Sequence, residues 1–347
     1  MPATPSVLVL AGDGIGPEVT AAARAVLEAV RPDITFAERS IGQAAIDRYG
    51  VPYEPDLLHE ARRHDAILMG AVGGAEQRGP EAPRPEEALF ALRSGLDLYA
   101  NLRPIRAFPA LVDCSPLRPD RVHGTDLLLV RELTGGLYFG ERRYAENGAF
   151  DTCTYSRGQI ERIARTAFEA ARDRRGRLAS IDKANVLSTG ALWRSVVSEL
   201  AAEYPDVEVE HLLVDNAAMQ LLLRAATFDV VVTENLFGDI LSDEISLLAG
   251  GLGMLPSGSF GDEAPALYEP AHGSAPDIAG RGLANPCAAI LSAALLLRHS
   301  LRDAEAGAAI EQAVDAALSA GVITADLGGT ATTDEVTTAV IDRLSAS

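Results

Sequence analysis

Short aliphatic runs recur along this chain, and each gives way to a turn and then to helical spacing. Runs at 7–11, 66–70, 127–130, 178–181 and 230–232 read as strands, and helical patterns fill 89–99, 155–174, 190–204 and 287–298. An alternation of this kind predicts an α/β fold, because a strand followed by a crossover helix packs back as a parallel neighbour. The run Val230, Val231, Val232 is apolar without interruption, as expected of a strand buried on both faces. Gly238 is expected to break that segment before Ile240, Ile245, Leu247 and Leu248 take up helical spacing. A length of 347 residues suits two domains or one large α/β unit.

The stretch 229–253, DVVVTENLFGDILSDEISLLAGGLG, places Asp239 and Asp243 four residues apart on one helix face. Like charges at that spacing repel by a few tenths of a kcal/mol, about 0.2–0.5. The pair is therefore either a solvated acidic face or a site for a hard divalent cation. Asp215, expected at the end of a strand over 207–214, is a third possible ligand.

Among the 30 basic residues Lys183 is the one lysine, and 29 are arginine. Arginine stays protonated, whereas a lysine can lose its proton when burial or a neighbouring cation lowers its pKa, as a general base must. Lys183 lies in the polar cluster 180–186, where an apolar run ends and loops carry sites. It reads as either a catalytic base or a chance survivor of an arginine-rich composition.

The net charge of −19 argues against nucleic acid and anionic membranes as partners. Cys114, Cys153 and Cys287 lack paired spacing, which suggests reduced thiols in a cytoplasmic protein and no zinc site. The first residues, MPATPSVLVLAGDG, have no basic segment and read as a first strand, not a signal peptide, and the apolar run 288–297 is too short to span a bilayer.

The turn 12–17, GDGIGP, invites a nucleotide reading, but Pro17 stands where a Rossmann fingerprint needs glycine, and no Walker A is present. Its glycines serve either a ligand's approach or a plain turn. Residues 75–88 are expected to form a polar, proline-rich, mobile loop, and 141–155 an arm or hairpin. Arg93, Arg103 and Arg131 fall in a helix, a loop and a strand end, and are either ordinary surface residues or a set converging on a small anion.

Together, GDGIGPEV, the Arg93-x9-Arg103 spacing, VRELTGGLYFG, DKANVL, VDNAAM, NLFGDILSD and EPAHGSAPDIAG resemble the β-decarboxylating dehydrogenases of the isocitrate/isopropylmalate dehydrogenase family, in order, from residue 8 to 333. The resemblance implies a two-domain open α/β sheet fold without a Rossmann unit. Residues 1–98 plus 250–347 would form the cofactor-binding domain, and 99–249 the substrate, metal and dimerisation domain. It further implies a cytoplasmic homodimer with shared active sites and NAD-dependent oxidative decarboxylation of a 3-substituted malate. The leading substrate is 3-isopropylmalate, giving 4-methyl-2-oxopentanoate and CO2 in leucine biosynthesis.

Residue by residue, the resemblance implies that Arg93, Arg103 and Arg131 hold the malate carboxylates. Asp239 and Asp243, with Asp215 of the partner subunit, would bind Mg2+ or Mn2+, and Asp215 would also face the substrate. Lys183 of the partner subunit would take the hydroxyl proton, and Tyr138 would protonate the enol carbon. Glu86, Leu89, Phe90 and Val186 would line the substrate's side-chain pocket. The implied cofactor-binding residues are Ile15, Val72, Glu269, His272, Gly273, Ser274, Ala275, Asp277, Ile278, Asn285 and Asp326. Members of the family that use NADP carry Lys-Tyr where this chain has Asp277-Ile278, and a carboxylate there would repel a 2′-phosphate, so NAD is expected. Phe90 replaces a leucine typical of isopropylmalate enzymes, and GGAEQRGP replaces their G-P-K-W-D stretch. Another 3-alkyl- or 3-arylmalate, D-malate or tartrate is therefore the alternative substrate. A lysine Schiff-base enzyme would also start from Lys183 but leaves the three aspartates unexplained.

Overall fold

The computed structural model describes residues 4–74, 82–263 and 265–345; residues 75–81 of the loop expected over 75–88 lie outside that set. The chain forms two compact units. One comprises Met1–Leu98, Phe108–Cys114 and Gly250–Ser347, the other Tyr99–Ala107 and Ser115–Ala249. In chain order the strands are β1 (Ser6–Gly12), β2 (Thr35–Glu38), β3 (Ala66–Ala71), β4 (Ala100–Arg106), β5 (Asp126–Glu132), β6 (Arg142–Ala145), β7 (Gly148–Asp151), β8 (Arg177–Asp182), β9 (Glu208–Leu213), β10 (Val230–Thr233), β11 (Pro256–Phe260) and β12 (Ala266–Pro270).

In the first unit the strand order is β2-β1-β3-β12-β11, parallel except for β11, which runs antiparallel to β12. Every residue of β3 is buried, as a central parallel strand covered on both faces requires. Helix Cys287–His299 is buried continuously from Cys287 to Leu297, and its sequence is apolar all round to match. It packs with helices Gly16–Val30 and Ala304–Ser319.

The second unit repeats the architecture in the order β4-β5-β10-β8-β9, with β4 antiparallel to β5 and the others parallel. All four residues of β10 are buried. Helices Arg157–Arg172 and Ser188–Leu200 lay Ile160, Ile163, Phe168, Trp193 and Val197 against Val130, Val230 and Val232. Ser156 opens the first of these helices in a capping box with Gln159. The segment expected as an arm is the antiparallel hairpin β6–β7, exposed along its whole length. No helix among the described residues is long and apolar enough to cross a membrane.

Two local expectations are corrected. The helix expected over 89–99 spans Glu87–Gly95, because Asp97 adopts a left-handed conformation (φ 48°) and ends it. Leu92 is buried there, but Tyr99 belongs to the second unit and packs on that unit's core. Gly238 does not precede its helix. The Glu234 carboxylate accepts from the backbone N–H of Phe237 (2.8 Å) and Leu236 (3.2 Å), so the helix begins at Asn235 and Gly238 lies in its first turn. Along it Ile245 is buried and Ile240 faces outward, and because the helix ends at Ser246, exposed Leu247 and buried Leu248 follow it and do not continue its spacing.

Candidate active site

Parallel strands aim their carboxyl ends the same way, and in open α/β sheets ligands collect at those ends. In the second unit β5 ends at Arg131 and Glu132, and β10, its neighbour with Thr233 opposite Arg131, runs through Glu234 into helix Asn235–Ser246. The buried Arg131 guanidinium therefore lies over the start of the helix that carries both aspartates. Its Nε and Nη2 donate to Asn235 Oδ1 (3.1 and 2.8 Å) and its Nη1 to Asp239 Oδ1 (2.5 Å). A Cβ on Gly238 would stand 2.6 Å from Arg131 Cγ, so glycine in the first turn makes room for the arginine stem.

Tyr138 sits in a single 3-10 turn, Gly136–Tyr138, and its hydroxyl donates to Asp239 Oδ2 (2.7 Å). Burial, and then the Asp239 carboxylate, push the Tyr138 hydroxyl up to about 12, so it holds its proton at neutral pH. The turn is set by Glu132, which is fully buried and accepts from Thr134 N (2.9 Å), Thr134 Oγ1 (2.5 Å) and Gly135 N (2.8 Å). Arg103, also buried, donates to Asn101 Oδ1 (2.7 Å) and to Ser242 Oγ (2.5 Å), a residue one position before Asp243.

Burial raises the Asp243 carboxyl above the usual range; Asp239 adds to this while Arg103 and Arg131 oppose it. A divalent cation between Asp239 and Asp243 would offset the repulsion within that pair, and Mg2+ commonly needs one or two carboxylates with water and substrate completing the shell. The donor chemistry thus fits a hard cation. Within one chain, Asp215 is not gathered with this pair. It lies in the first turn of helix Val214–Leu223, where its Oδ1 accepts from Lys183 Nζ (2.5 Å), and the ammonium holds Asp215 below the usual carboxylate range. Among the described residues no three His, Cys, Asp or Glu side chains form a metal-binding set.

Lys183 follows directly on β8. The turn beneath it is pinned by Asp182, which accepts from Ala184 N (2.9 Å) and, on both oxygens, from Arg194 (2.9 Å each). Gly190 lets the following helix approach: a Cβ there would be 2.7 Å from the Lys183 carbonyl carbon. Val186, on the same turn, is 70% exposed.

In the first unit, the turn after β1 is clasped from two sides. Asp13 accepts from Gln43 N (2.8 Å) and Gly73 N (3.1 Å), the residue after Val72, although burial still raises its carboxyl. Ile15 N donates to Ser274 O (2.8 Å), and a Cβ on Gly14 (φ 56°) would stand 1.9 Å from that same oxygen. Gly14 therefore admits the 269–280 loop itself. Glu86, expected in the substrate pocket, borders this cluster: a Cβ on Gly73 would lie 3.4 Å from its Oε1 and 3.1 Å from Ser274 Oγ. Leu89 packs on the first unit's core, and Phe90 beside it is half-buried. Arg93, buried, donates through Nη2 to Glu269 Oε1 (3.2 Å) on β12, which gives Glu269 an arginine partner alongside its expected cofactor role.

His272 is kept neutral by burial. Its Nδ1 meets Gly273 O (3.0 Å), while its buried Nε2 has no hydrogen-bond partner, an orphaned polar atom that fits a ligand in this loop. Ala275 takes a left-handed conformation (φ 37°), Asp277 is exposed and Ile278 half-buried. Asn285 and Asp326 are brought together: Asn285 Nδ2 donates to Asp326 Oδ2 (3.1 Å), and Thr324 Oγ1 to Asp326 Oδ1 (2.5 Å). Sequence reasoning missed Asn235, Ser242, Glu132 and Asp182. Asn235 and Ser242 lie inside the quoted NLFGDILSD motif, and Asp182 directly precedes the singular lysine, so proximity to a recognised motif was the available signal.

Residues 6–340 match the family model described as Isocitrate/isopropylmalate dehydrogenase. The chain is 51% identical over 348 residues to a protein of Anaeromyxobacter dehalogenans named 3-isopropylmalate dehydrogenase, covering 97% of this chain and 99% of that one. It is 55% identical over 334 residues to one of the same name from Hahella chejuensis, covering 93% of each. Its fold is similar to the crystal structure of isocitrate dehydrogenase from Methylococcus capsulatus, with a TM-score of 0.89, 35% identity, and 98% of this chain and 99% of that one covered. With most of its length matched in sequence and in fold, this chain belongs to the isocitrate/isopropylmalate dehydrogenase family and is an enzyme, a β-decarboxylating dehydrogenase.

Proposed function

We propose that this enzyme oxidises 3-isopropylmalate with NAD and releases the C3 carboxylate as CO2, giving 4-methyl-2-oxopentanoate in leucine biosynthesis. The observation that carries the reading is the hydrogen-bonded set Arg131–Asp239–Tyr138, a cation, a carboxylate and a phenolic acid held together over one helix. Relatives named 3-isopropylmalate dehydrogenase support the choice of substrate.

In this reading Arg93, Arg103 and Arg131 grip the malate carboxylates by charge-assisted hydrogen bonds. Asp239 and Asp243, with Asp215 of the partner subunit, would hold Mg2+ or Mn2+. When bound, that cation polarises the C2 oxygen and offsets the negative charge that develops there. Lys183 of the partner subunit, as the free amine, would accept the C2 hydroxyl proton, and bound NAD+ would supply the acceptor for the C2 hydride. The C3 carboxyl bond then breaks, CO2 departs, and Tyr138 delivers a proton to the electron pair left at C3. A base and a separate acid suit two steps of opposite proton demand.

Glu269, His272, Gly273, Ser274, Ala275, Asp277 and Ile278, with Ile15, Val72, Asn285 and Asp326, are the proposed NAD-binding residues, and the exposed Asp277 carboxylate disfavours a 2′-phosphate. Glu86, Leu89, Phe90 and Val186 are the proposed surroundings of the C3 substituent, and the enzyme is proposed to act as a cytoplasmic homodimer.

The test is NADH formation with Mn2+ and NAD+, comparing 3-isopropylmalate with isocitrate, D-malate and 3-benzylmalate. Isopropylmalate should give the highest kcat/KM. Strong turnover of another malate with weak turnover of isopropylmalate would keep the chemistry and overturn the substrate, pointing to Phe90.

A further inference from the structure

We propose that Asn235 is the positioning residue of this site, its side-chain amide holding the Arg131 guanidinium in one plane and tying it to the loop that carries Tyr138. The inference rests on the proposed function for what Arg131 binds, and on geometry alone for what Asn235 does.

Asn235 is 1% exposed and stands at the first position of its helix. The helix does not need that side chain to begin, because Glu234 already caps it, and the Asn235 backbone N–H is taken by Tyr155 Oη (3.0 Å). An amide buried there would cost stability unless its donor and acceptor were both used. Both are used on the site: Oδ1 accepts twice from Arg131, and Nδ2 donates to Gly135 O (3.2 Å), three residues before Tyr138. Arg131 in turn donates to Asp239, and Tyr138 to the other oxygen of Asp239. The contacts close a ring from Asn235 through Arg131, Asp239 and Tyr138 and back along the chain to Gly135. Turning the guanidinium would therefore disturb the carboxylate and the phenol together.

The choice of asparagine over aspartate follows from charge. A neutral acceptor fixes the planar fork of Arg131 without cancelling its charge, whereas an aspartate would add one more carboxylate to Glu234, Asp239 and Asp243 around it and weaken the pull on an anionic substrate. The Gly135 carbonyl also needs a donor, which the amide has and a carboxylate lacks.

The experiment measures Asn235→Ala and Asn235→Asp in the full chain against the best 3-substituted malate. KM for the hydroxy acid should rise roughly 10- to 100-fold in both, as for losing a hydrogen bond to a charged group. KM for NAD should stay within about twofold. Both KM values rising together with a fall in melting temperature would mean a merely structural residue and would overturn the proposal. So would an unchanged acid KM in either folded variant. If Asn235→Ala does not fold, Asn235→Asp, which keeps the shape and the acceptor, decides alone. A second readout needs no turnover: with Mn2+ present, malonate should raise the melting temperature of the natural protein and not of Asn235→Asp. If the natural protein turns over no malate yet shows that malonate shift, lost in the variant, the proposed function falls and the positioning role stands. If it shows neither, both fall.

Discussion

At the scale of single residues, the groups that set this site in place are buried carboxylates as much as the cations they accompany. Glu132 has no exposed surface, and burial raises its carboxyl even though three donors converge on it. Glu234, which caps the aspartate-bearing helix, is raised by burial in the same way. In the window from the ordinary glutamate value of about 4.3 up to the raised folded value, the native state keeps a proton that the unfolded chain has lost. The native state then binds more protons, so this contribution to stability is full below the window and is lost as pH rises through it. Replacing Glu132 by Gln should make the change of stability with pH more positive across that window, measured as urea midpoints from mildly acid to neutral pH. A slope matching the natural protein would mean that Glu132 titrates like an exposed side chain. Lys183 and the Asp239/Asp243 pair were legible in the sequence, because a residue type used once shows in the composition and an i, i+4 spacing is a local property. That Lys183 pairs with Asp215 within the chain was not, since 32 residues separate them.

At the scale of elements, the buried strands β1, β3, β5, β8 and β10 were legible, because burial on both faces leaves an apolar run, whereas β2, β11, β12 and helix Ala304–Ser319 were not read. The ends of elements were less legible. Helix Asn235–Ser246 begins three residues ahead of Gly238 because a glutamate side chain caps it, and glycine serves there to admit the Arg131 stem. Gly238→Ala therefore sets two effects against each other. Alanine favours a helix by about 1 kcal/mol, while forcing a methyl against the Cβ, Cγ and Cδ of a buried arginine costs about 1–3 kcal/mol. Packing should win, so the variant should unfold at lower urea and lose affinity for the hydroxy acid; a more stable Gly238→Ala with unchanged KM would contradict the account.

At the scale of the whole molecule, candidate residues occur in both units. The first holds Arg93 with Glu269 and the loop around His272; the second holds Arg103, Arg131, Tyr138, Lys183 and the aspartates. The proposed sharing of sites across a homodimer makes a specific prediction. Lys183→Ala should lower kcat by at least about 10²–10⁴-fold, the range for losing a positioned proton-transfer group, and Asp239→Asn, which removes a proposed metal ligand, should leave the enzyme similarly inactive. Unfolding and refolding the two inactive variants together should restore activity, because a mixed dimer has one site with Asp239 from one chain and Lys183 from the other. Mixtures that stay inactive while forming mixed dimers would place Lys183 and Asp239 in the site of a single chain.

What this sequence determined by itself was the strand–helix alternation of an α/β fold and two acidic residues on one helix face, both written in neighbouring residues, and the singularity of its lysine, written in its composition. What only the tertiary structure decided was which elements stand side by side. Strand order β5-β10-β8 puts Arg131 against Asn235, 104 positions away, and β12 brings Glu269 to Arg93 across 176. Hydrogen bonds reach about 3 Å and demand direction, so they are chosen by sheet register. Periodicity along the chain records which face of a strand is apolar and carries no mark of which strand will lie beside it.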